Sequence, residues 1–418
     1  MPNDPSNPLQ DPLADPLADP LSLQIPFVGI DRMPPVERRA AMIDLRAPKE
    51  FAEDHAPGAI NVPLFEDDTR SYVGLLYRQF GPEAAFQEGR AAVVEGVQTL
   101  VRDILAAIDR PMPPDDLRAR VLELTGGGMA RMEGALELCT VGELTEDTVV
   151  FTCARGGLRS RSVVALMRSI GIETAVGLEG GYRSYRRGVM ERLEAWEPPG
   201  LVVSLRGLTG VGKTLVLRAI EDLRPGWTLD LEGIAGHRSS LLGMVGLAPV
   251  SQKAFESGLC RRAERGFPAG VMIVEGESRK VGDAVIPRGI WAAMKAATNI
   301  EVTAGTPRRV TVLSEDYLAD PSGLPVLRRQ LETISERMDG ALDLAGMLDR
   351  REIGPLVELL LERYYDPLYR RSEAGKEYAT SVDAERAEDA AAAVVRWVEE
   401  RLSSVRSRSF AGSEPGEQ

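Results

Sequence analysis

The sequence predicts an α/β protein of two units, each built on a parallel β-sheet. Short buried strands alternate with helical patterns in both halves of the chain, an order that is typical of parallel sheets. One apolar run, 148–152, ends directly at Cys153, and another, 201–205, enters a glycine-rich loop that precedes a helical pattern. Because domains average roughly 150 residues, a chain of 418 residues has room for two or three of them.

The N-terminal unit is predicted to occupy residues 25–195, with folded structure beginning near Phe27. Residues 1–24 are rich in proline and repeat the triplet Asp-Pro-Leu. Closely spaced prolines disfavour both helix and sheet, so we predict a disordered tail there. Apolar residues recur at helical spacing from Val93 to Leu105, within a helical insertion predicted at about 83–138. The predicted strands are 41–45, 58–63, 148–152 and 174–178.

The second unit follows the proline-rich linker 197–200. It is predicted to form an α/β domain over residues 200–322, with strands at 201–205, 271–274 and 301–302. From 323 to 402 the pattern is mainly helical, which predicts a helical C-terminal region. Residues 403–418 are rich in Ser, Gly and Glu and are predicted to form a second disordered tail.

Composition excludes several classes of protein. With 44% apolar and 27% charged residues, the chain is typical of globular soluble proteins, and no apolar run approaches the ~18 residues that a membrane span needs. No basic residue precedes Arg32, so the N-terminus does not resemble a secretory signal. Three cysteines are too few for a disulfide framework and favour a reducing cytoplasm. The net charge of −13 disfavours non-specific coating of nucleic acid.

The first candidate site is the loop 153–160, which a strand enters and a helix leaves. In that geometry backbone N–H groups and the helix N-terminus stabilise negative charge on the sulfur of Cys153, the candidate catalytic residue. Such a loop can hold a thiolate, a persulfide or an oxyanion, and the alternative is a buried core cysteine. Cys139 and Cys260 lack such surroundings and are predicted to be structural. The other candidates for the anion loop are Arg155, Gly156, Gly157, Arg159 and Ser160.

A second interpretation uses the same loop. Cys153 and Arg159 satisfy the C-x5-R pattern of cysteine phosphatases, in which the arginine binds phosphate and the cysteine attacks phosphorus. A phosphatase also needs a carboxylic acid for the leaving group, and no short motif identifies one. His55 is interpreted as a turn or packing histidine rather than a catalytic base.

The second candidate site is the loop 207–214, which fits the Walker A pattern G-x-x-x-x-G-K-[ST] between a predicted strand and a predicted helix. Its N–H groups can surround a diphosphate, while the lysine neutralises charge and the threonine hydroxyl can ligate Mg²⁺. The pattern does not select among ATP, GTP and other diphosphates. The predicted phosphate-binding residues are Gly207, Thr209, Gly210, Gly212, Lys213 and Thr214, with Thr214 also the candidate magnesium ligand.

Two further segments supply candidates near this loop. The strand 271–274 runs into two glutamates and resembles a Walker B strand, whose carboxylate could hold Mg²⁺ through water or act as a base; surface glutamates are the alternative. The segment 230–240 combines acid, imidazole, guanidinium and hydroxyl groups, which favours a ligand loop over a solvated turn. The candidates are Asp230, Glu232, His237, Arg238, Glu275, Glu277, Ser278 and Arg279.

The N-terminal unit resembles the rhodanese family. Residues 44–51 match the signature D-x-R-x-x-x-E-F, residues 54–63 match G-H-x-P-G-A-x-N-x-P, and the cysteine loop matches the family's active-site loop. Asp54 stands where glycine is usual, a departure that we expect to be harmless in a turn. The resemblance implies a cysteine that carries sulfur or selenium.

The chain contains both the cysteine loop and the phosphate loop. It resembles the bacterial tRNA 2-selenouridine synthase family from about Ile43 to about Ser372. The departures are Leu75 for Thr, Ser239 for Gly, Gly276 between two glutamates, and a region at 110–138 that is longer than the family needs. The segments that carry the resemblance are 73–81 (V-G-x-x-Y-x-Q-x-G), 178–186 (around E-G-G-Y), 230–238 (D-L-E-G-x-A-x-H-R), 275–282 (E-x-E-S-R) and 364–369 (Y-Y-D-P-x-Y).

The family resemblance implies a cytoplasmic enzyme that acts on wobble 2-thiouridine of tRNA. A geranyl group from geranyl diphosphate is transferred to the base sulfur, and selenium from selenophosphate then replaces the S-geranyl group. It implies that Cys153 carries or guides selenium and that the phosphate loop holds the diphosphate. No tightly bound cofactor and no membrane partner are expected, and Mg²⁺ is the candidate ion.

Arginine groups are the candidate contacts to tRNA, with solvated helix faces as the alternative; such binding should weaken with salt. Two other functional classes stay open: a cysteine phosphatase or thiosulfate sulfurtransferase fused to a nucleotide-binding domain, and a P-loop kinase or ATP-dependent regulator whose N-terminal unit merely binds. The candidate arginines are Arg183, Arg186, Arg187, Arg261, Arg262, Arg308, Arg309, Arg370 and Arg371.

Overall fold

The structure is a computed structural model that describes residues 23–29, 41–114, 116–140, 144–238, 247–318, 321–338 and 342–411. The chain divides into two compact units, Met1–Gly188 and Val189–Gln418. Most of the predicted N-terminal tail, residues 1–22, lies outside the described residues, as does Ser239. No helix in the described ranges combines the length and the hydrophobicity of a membrane span.

The first unit contains a six-stranded sheet in which every strand pair is parallel. Its strand order is β3-β2-β5-β6-β1-β4. β1 begins at Leu23, so the predicted tail is wrong at its last two residues, and β4 begins at Leu136, inside the predicted helical insertion. The strands are β1 (Leu23–Val28), β2 (Ala41–Asp44), β3 (Ala59–Asn61), β4 (Leu136–Thr140), β5 (Val149–Thr152) and β6 (Ala175–Leu178).

Seven helices accompany this sheet in the described residues. The long helix α3 buries one apolar stripe, which includes Val97, Val101 and Ile104, in the same core as Phe151 of the central strand β5. The insertion is therefore part of the sheet's hydrophobic core. The helices are α1 (Pro48–Glu53), α2 (Asp67–Phe80), α3 (Pro82–Ala107), α4 (Leu117–Leu124), α5 (Gly128–Ala135), α6 (Leu158–Ser169) and α7 (Gly181–Glu194).

The second unit contains a five-stranded sheet, also parallel throughout, in the order β13-β12-β7-β9-β8. A short antiparallel hairpin, β10–β11, follows β9. The division between the units falls inside α7, earlier than the predicted linker, because the end of α7 bonds to the second unit: Arg192 pairs with Glu264 at 2.7 Å. The strands are β7 (Leu201–Arg206), β8 (Thr228–Leu229), β9 (Val271–Glu275), β10 (Lys280–Val281), β11 (Ala284–Val285), β12 (Thr298–Thr303) and β13 (Thr380–Asp383).

Two helical layers complete the second unit. One has its own core, which includes Leu331, Leu344 and Tyr365, and the other packs on the sheet. The helices are α8 (Lys213–Leu223), α9 (Leu231–Ala235), α10 (Gln252–Glu264), α11 (Arg288–Ala296), α12 (Thr306–Leu318), α13 (Leu324–Arg337), α14 (Leu344–Asp349), α15 (Ile353–Leu360), α16 (Asp366–Glu373) and α17 (Ala387–Ala411).

The C-terminal predictions need two corrections. The region predicted to be helical contains β13, which extends the sheet beside β12. The predicted tail is wrong over 403–411, because α17 continues to Ala411; residues 412–418 lie outside the described part. α17 packs through fully buried Val394 and Val398 against the core that α8 shares with the sheet, and this burial stabilises the long helix.

Replacing Val394 by Asp should therefore destabilise the protein by at least about 3 kcal/mol, since a charge would replace a buried methyl pair. Urea unfolding followed by circular dichroism measures this. Ala392→Asp is the matched control, because Ala392 is exposed on the same helix. Equal unfolding midpoints for the two variants would contradict the packing of α17 described here.

Candidate functional site

Cys153 lies between the end of β5 and the start of α6. Its side chain is buried, with 2% exposed, and its Sγ lies 3.3 Å from Oγ of Ser160 in the first turn of α6. The loop between them turns at Gly156, which has φ +63°. The structure thus brings the predicted residues of the cysteine loop around one sulfur atom.

The surroundings of this sulfur favour the thiolate. Burial by itself raises the pKa of the Cys153 thiol, but the positive charge of Arg159 opposes burial. The Ser160 hydroxyl also hydrogen-bonds with the sulfur, and the backbone N–H groups of Arg155 and Ser160 donate to it. Together these contacts hold the pKa below its ordinary value. By contrast, burial raises the pKa of Cys260.

A turn after β6 that contains Gly180 and Gly181 packs against the backbone of the cysteine loop. A Cβ atom on Gly181, which has φ +58°, would lie 2.2 Å from the Cys153 carbonyl oxygen. The backbone N–H of Tyr182 donates to that carbonyl at 2.8 Å. The segment 178–186 therefore positions the loop by close backbone contact that a side chain at Gly181 would prevent.

Asp54 does more than occupy a turn. Its backbone is extended, with φ −173°, so no glycine is required there. Its buried carboxylate accepts a hydrogen bond from the Tyr182 hydroxyl at 2.8 Å and pairs with Arg186 at 3.6 Å. Arg46, itself paired with Asp44, lies over the Tyr182 ring at 3.6 Å. Arg186, a candidate for tRNA contact, belongs to this internal network.

A cavity of about 820 Å³ adjoins the cysteine loop within the first unit. Cys153, Arg155 and Arg159 line it together with side chains from α2 to α6. Nη1 of Arg159 is buried without a hydrogen-bond partner and lies 4.0 Å from the Glu50 carboxylate. No sequence pattern predicts this cavity, although residues of the segment 73–81, which carries part of the family resemblance, line it.

The phosphate loop connects β7 to α8, as its sequence pattern predicts. Gly210 and Gly212 have φ +80° and +88°, and a Cβ atom on Gly207 would lie 2.2 Å from the Val302 carbonyl oxygen. Nζ of Lys213 donates to the carbonyl oxygens of Gly207 and Leu208, at 3.1 and 3.3 Å. The lysine ammonium thus lies against its own loop.

Three carboxylates meet beside Thr214. Oxygen atoms of Glu232, Glu275 and Glu277 lie within 4.8 Å of one another, and the Thr214 hydroxyl donates to Glu232 at 3.3 Å. Burial, followed by repulsion between neighbouring carboxylates, raises the pKa of Glu232 to about 9 and that of Glu275 to about 8. Both carboxylate oxygens of Glu275 are buried without a hydrogen-bond partner.

This cluster fits a divalent cation. Carboxylate and hydroxyl oxygens are the ligands that Mg²⁺ prefers, and a cation would compensate the otherwise unpaired Glu275. The residues that could hold it are Thr214, Glu232, Glu275 and Glu277. A cavity of about 150 Å³ lies between these groups and the phosphate loop, and Arg238, which pairs with Asp316 at 3.6 Å, also lines it.

Other candidates from the sequence lie outside this cavity. Asp230 caps α9 by accepting from the Gly233 N–H at 2.7 Å. The His237 ring packs against Gly282, and burial lowers the pKa of the imidazole. Ser278 and Arg279 are exposed beside the β10–β11 hairpin. These side chains shape the surrounding loops.

Besides Arg186, two further arginines predicted to contact tRNA make hydrogen bonds within the fold. Nε of Arg309 donates to the Thr209 carbonyl oxygen of the phosphate loop at 2.8 Å, and its other nitrogens bind both carboxylate oxygens of Asp366. Arg262 donates to the carbonyl oxygens of Thr228 and Gly266. Each guanidinium is therefore bonded within the fold, and a contact of either arginine with tRNA stays a prediction.

Two residues beside the phosphate loop, Asp366 and Tyr369, are not among the sequence-predicted site residues, and Arg309 was predicted for tRNA contact instead. Asp366 fixes Arg309 against the phosphate loop, and Tyr369 lies 5.8 Å from the ammonium of Lys213. Asp366 and Tyr369 both lie in the segment 364–369, whose Y-Y-D-P-x-Y pattern carries part of the family resemblance. The structure also gives a reason for glycine at position 276, one of the departures from the family pattern. A Cβ atom there would lie 2.7 Å from the Arg206 side chain.

The fold and the two sites define an α/β protein that combines a thiolate loop on one parallel sheet with a phosphate loop on another. Comparison with known proteins identifies it further: the chain belongs to the tRNA 2-selenouridine synthase family. It is 31% identical over 359 residues to the tRNA 2-selenouridine synthase of Cupriavidus necator, covering 79% of this chain and 87% of that protein. The predicted family and the predicted α/β fold with parallel sheets are thus confirmed.

Two further relatives match most of the chain, and a family model and a solved structure match a part of it. The tRNA 2-selenouridine synthase of Cupriavidus pinatubonensis is 29% identical over 392 residues, covering 86% of this chain and 94% of that protein. The tRNA 2-selenouridine synthase of Bordetella bronchiseptica is 30% identical over 361 residues, covering 79% of this chain and 87% of that protein. The family model of the tRNA 2-selenouridine synthase AAA domain matches residues 201–339. A crystal structure of the N-terminal domain of a candidate ATP/GTP-binding protein from Clostridium difficile 630 is 27% identical, covers 39% of this chain and 98% of that chain, and has a TM-score of 0.28.

Ser160→Ala should move the titration of Cys153 to higher pH, because the variant removes a hydrogen-bond partner that lowers the pKa of the thiol. The measurement is the pH dependence of carbamidomethylation of the Cys153 peptide, followed by mass spectrometry. Ser162→Ala is the control, since the Ser162 hydroxyl donates to the Arg159 carbonyl oxygen instead. An unchanged profile in Ser160→Ala would show that the hydroxyl does not stabilise the sulfur anion.

Without metal, Glu275 should make the folded state less stable as pH rises. Its folded pKa, about 8, lies above the ordinary 4.5, so the folded state retains a proton that the unfolded chain releases between these values. Relative to Glu275→Gln, the wild type should lose at least about 2 kcal/mol of unfolding free energy between pH 5 and pH 8 in a chelator. Urea unfolding measures this, with the exposed Glu400→Gln as control. Parallel curves for wild type and Glu275→Gln would contradict it.

Proposed function

We propose that this protein converts wobble 2-thiouridine of tRNA to 2-selenouridine through an S-geranyl intermediate, with geranyl diphosphate and selenophosphate as co-substrates. The relatives named above are tRNA 2-selenouridine synthases, which supports the overall conversion. The observation that carries the two-step chemistry is the presence in one chain of a thiolate-favouring loop and a separate diphosphate cradle.

The first step belongs to the phosphate loop. The base sulfur attacks C1 of geranyl diphosphate, the C1–O bond breaks, and diphosphate leaves with the electron pair while the base loses its N3 proton. Loop N–H groups and Lys213 bind the departing diphosphate, so they stabilise the charge that develops on it. A bound Mg²⁺ would supply further charge neutralisation there.

The second step belongs to the cysteine loop. The selenium of selenophosphate attacks C2 of the base, and the C2–S bond breaks to release the geranyl thiolate. Water then cleaves the P–Se bond, giving phosphate and 2-selenouridine with no net oxidation. Arg155, Arg159 and the loop N–H groups hold the anionic donor, and Cys153 guides its selenium.

A cysteine phosphatase is the second candidate function, and one contact favours it. The C-x5-R pattern lacked an acid in the sequence, whereas the structure places the Glu50 carboxylate 4.0 Å from Arg159 in the same cavity. Turnover of an aryl phosphate that requires Cys153 and needs no tRNA would support this alternative.

Cys153→Ala should abolish selenium incorporation and leave geranylation intact, because the two steps use different sites. Lys213→Ala should lower geranylation at least about tenfold by removing charge from the diphosphate site, yet still convert RNA that is already geranylated. Nucleoside mass spectrometry of digested tRNA measures both products. Cys139→Ala, outside the two loops, should retain both steps. Full selenation by Cys153→Ala would refute the assignment of the cysteine.

A further inference from the structure

The cavity beside Cys153 is larger than selenophosphate, the donor in the proposed second step, requires. Its volume of about 820 Å³ falls in the range that binds whole small molecules rather than single anions. Most of its wall comes from α2, α3, α4 and α5, the helices that the chain inserts between β3 and β4. Selenophosphate alone would leave most of this volume empty.

Apolar side chains form one part of the wall, next to the charged side chains of Arg70, Arg78, Arg90 and Glu133. Phe86 and Val93 of α3, Leu124 of α4 and Met129 of α5 line it, and each is only partly buried. Apolar side chains that are left partly exposed inside a cavity gain most from a hydrocarbon ligand.

The remaining wall is polar and reactive. Cys153 and Arg159 contribute to it, and one guanidinium nitrogen of Arg159 is buried with no hydrogen-bond partner. A ligand that satisfies both parts must have a hydrocarbon body and a polar head that reaches the cysteine loop.

The phosphate-loop cavity does not offer the same environment. In the part of the chain that the structure describes, it measures about 150 Å³ and includes charged side chains of Lys213, Arg238 and Glu275 in its wall. It suits phosphate groups and a cation better than a hydrocarbon chain.

We propose that the cavity beside Cys153 binds the geranyl chain of the S-geranylated base, so that C2 of that base faces the cysteine loop. This assignment rests on the proposed function, which makes the S-geranyl base a substrate of the same loop. Binding of the remote hydrocarbon chain orients the reacting carbon, and the chain leaves on the sulfur as the geranyl thiolate. A 2-thiouridine without the chain lacks this contact, so the cavity selects the geranylated base for selenium transfer.

Binding of free nucleosides tests the assignment without any turnover. Isothermal titration should show that the wild type binds S-geranyl-2-thiouridine at least about tenfold more tightly than S-methyl-2-thiouridine. Val93→Phe fills part of the cavity and should abolish this preference. Ala91→Phe adds the same ring at an exposed position of α3 that does not line the cavity, and it should retain the preference.

A variant that enlarges the cavity distinguishes the expected effect of Val93→Phe from the effect of a folding defect. Phe86→Ala should raise the affinity for S-farnesyl relative to S-geranyl 2-thiouridine by about fivefold or more, a gain that misfolding would not produce. Equal affinity of the wild type for the geranyl and methyl nucleosides would overturn the assignment, as would unchanged preferences in both cavity variants. A wild type that binds the geranyl nucleoside but forms no selenouridine would refute the proposed function and leave the cavity assignment supported.

Discussion

Both sites depend on one constraint of parallel sheets: a helix that follows a strand leaves its first backbone N–H groups unpaired at the strand's carboxyl end. In the first unit the backbone N–H of Ser160, in the first turn of α6, donates to the sulfur of Cys153. In the second unit the first N–H groups of α8 directly follow the phosphate loop, because α8 begins at Lys213. Negative charge is stable at such a position because the donors are fixed before any ligand arrives. The same arrangement thus stabilises the sulfur anion of a side chain in one unit and, in the function proposed above, would bind a free diphosphate in the other.

Close backbone packing fixes each loop. Gly181 approaches the carbonyl of Cys153, and Gly207 approaches the carbonyl of Val302, each so closely that a Cβ atom would lie 2.2 Å from the oxygen. Any side chain at either glycine would push the loop away from the neighbouring strand or turn. The loops are therefore positioned by contacts between main chains, whereas charge is supplied by the side chains that project from them.

The sequence predicts the sites better than it predicts their surroundings. Continuous apolar runs identify β5, β7 and β9, but β1 contains Pro26, which cannot donate to the ladder, and β13 has only four residues. The internal role of Arg309 depends on a partner 57 positions away, which local patterns do not reveal. The cavity escaped prediction because periodicity shows which faces of helices are apolar, not where packed helices leave space. The predicted boundaries of the C-terminal helical region and of the C-terminal tail were wrong because tertiary packing, which local patterns do not show, stabilises β13 and α17.

The Arg309–Asp366 contact determines when, during translation, the phosphate loop can acquire all of its contacts. Translation produces Thr209 long before Asp366, so a growing chain carries its glycine-rich loop without the brace that joins the Thr209 carbonyl to the C-terminal layer. The sheet edge formed by β13 is synthesised later still. A nascent chain that has not yet reached Asp366 therefore lacks the contact that fixes Arg309 against the phosphate loop.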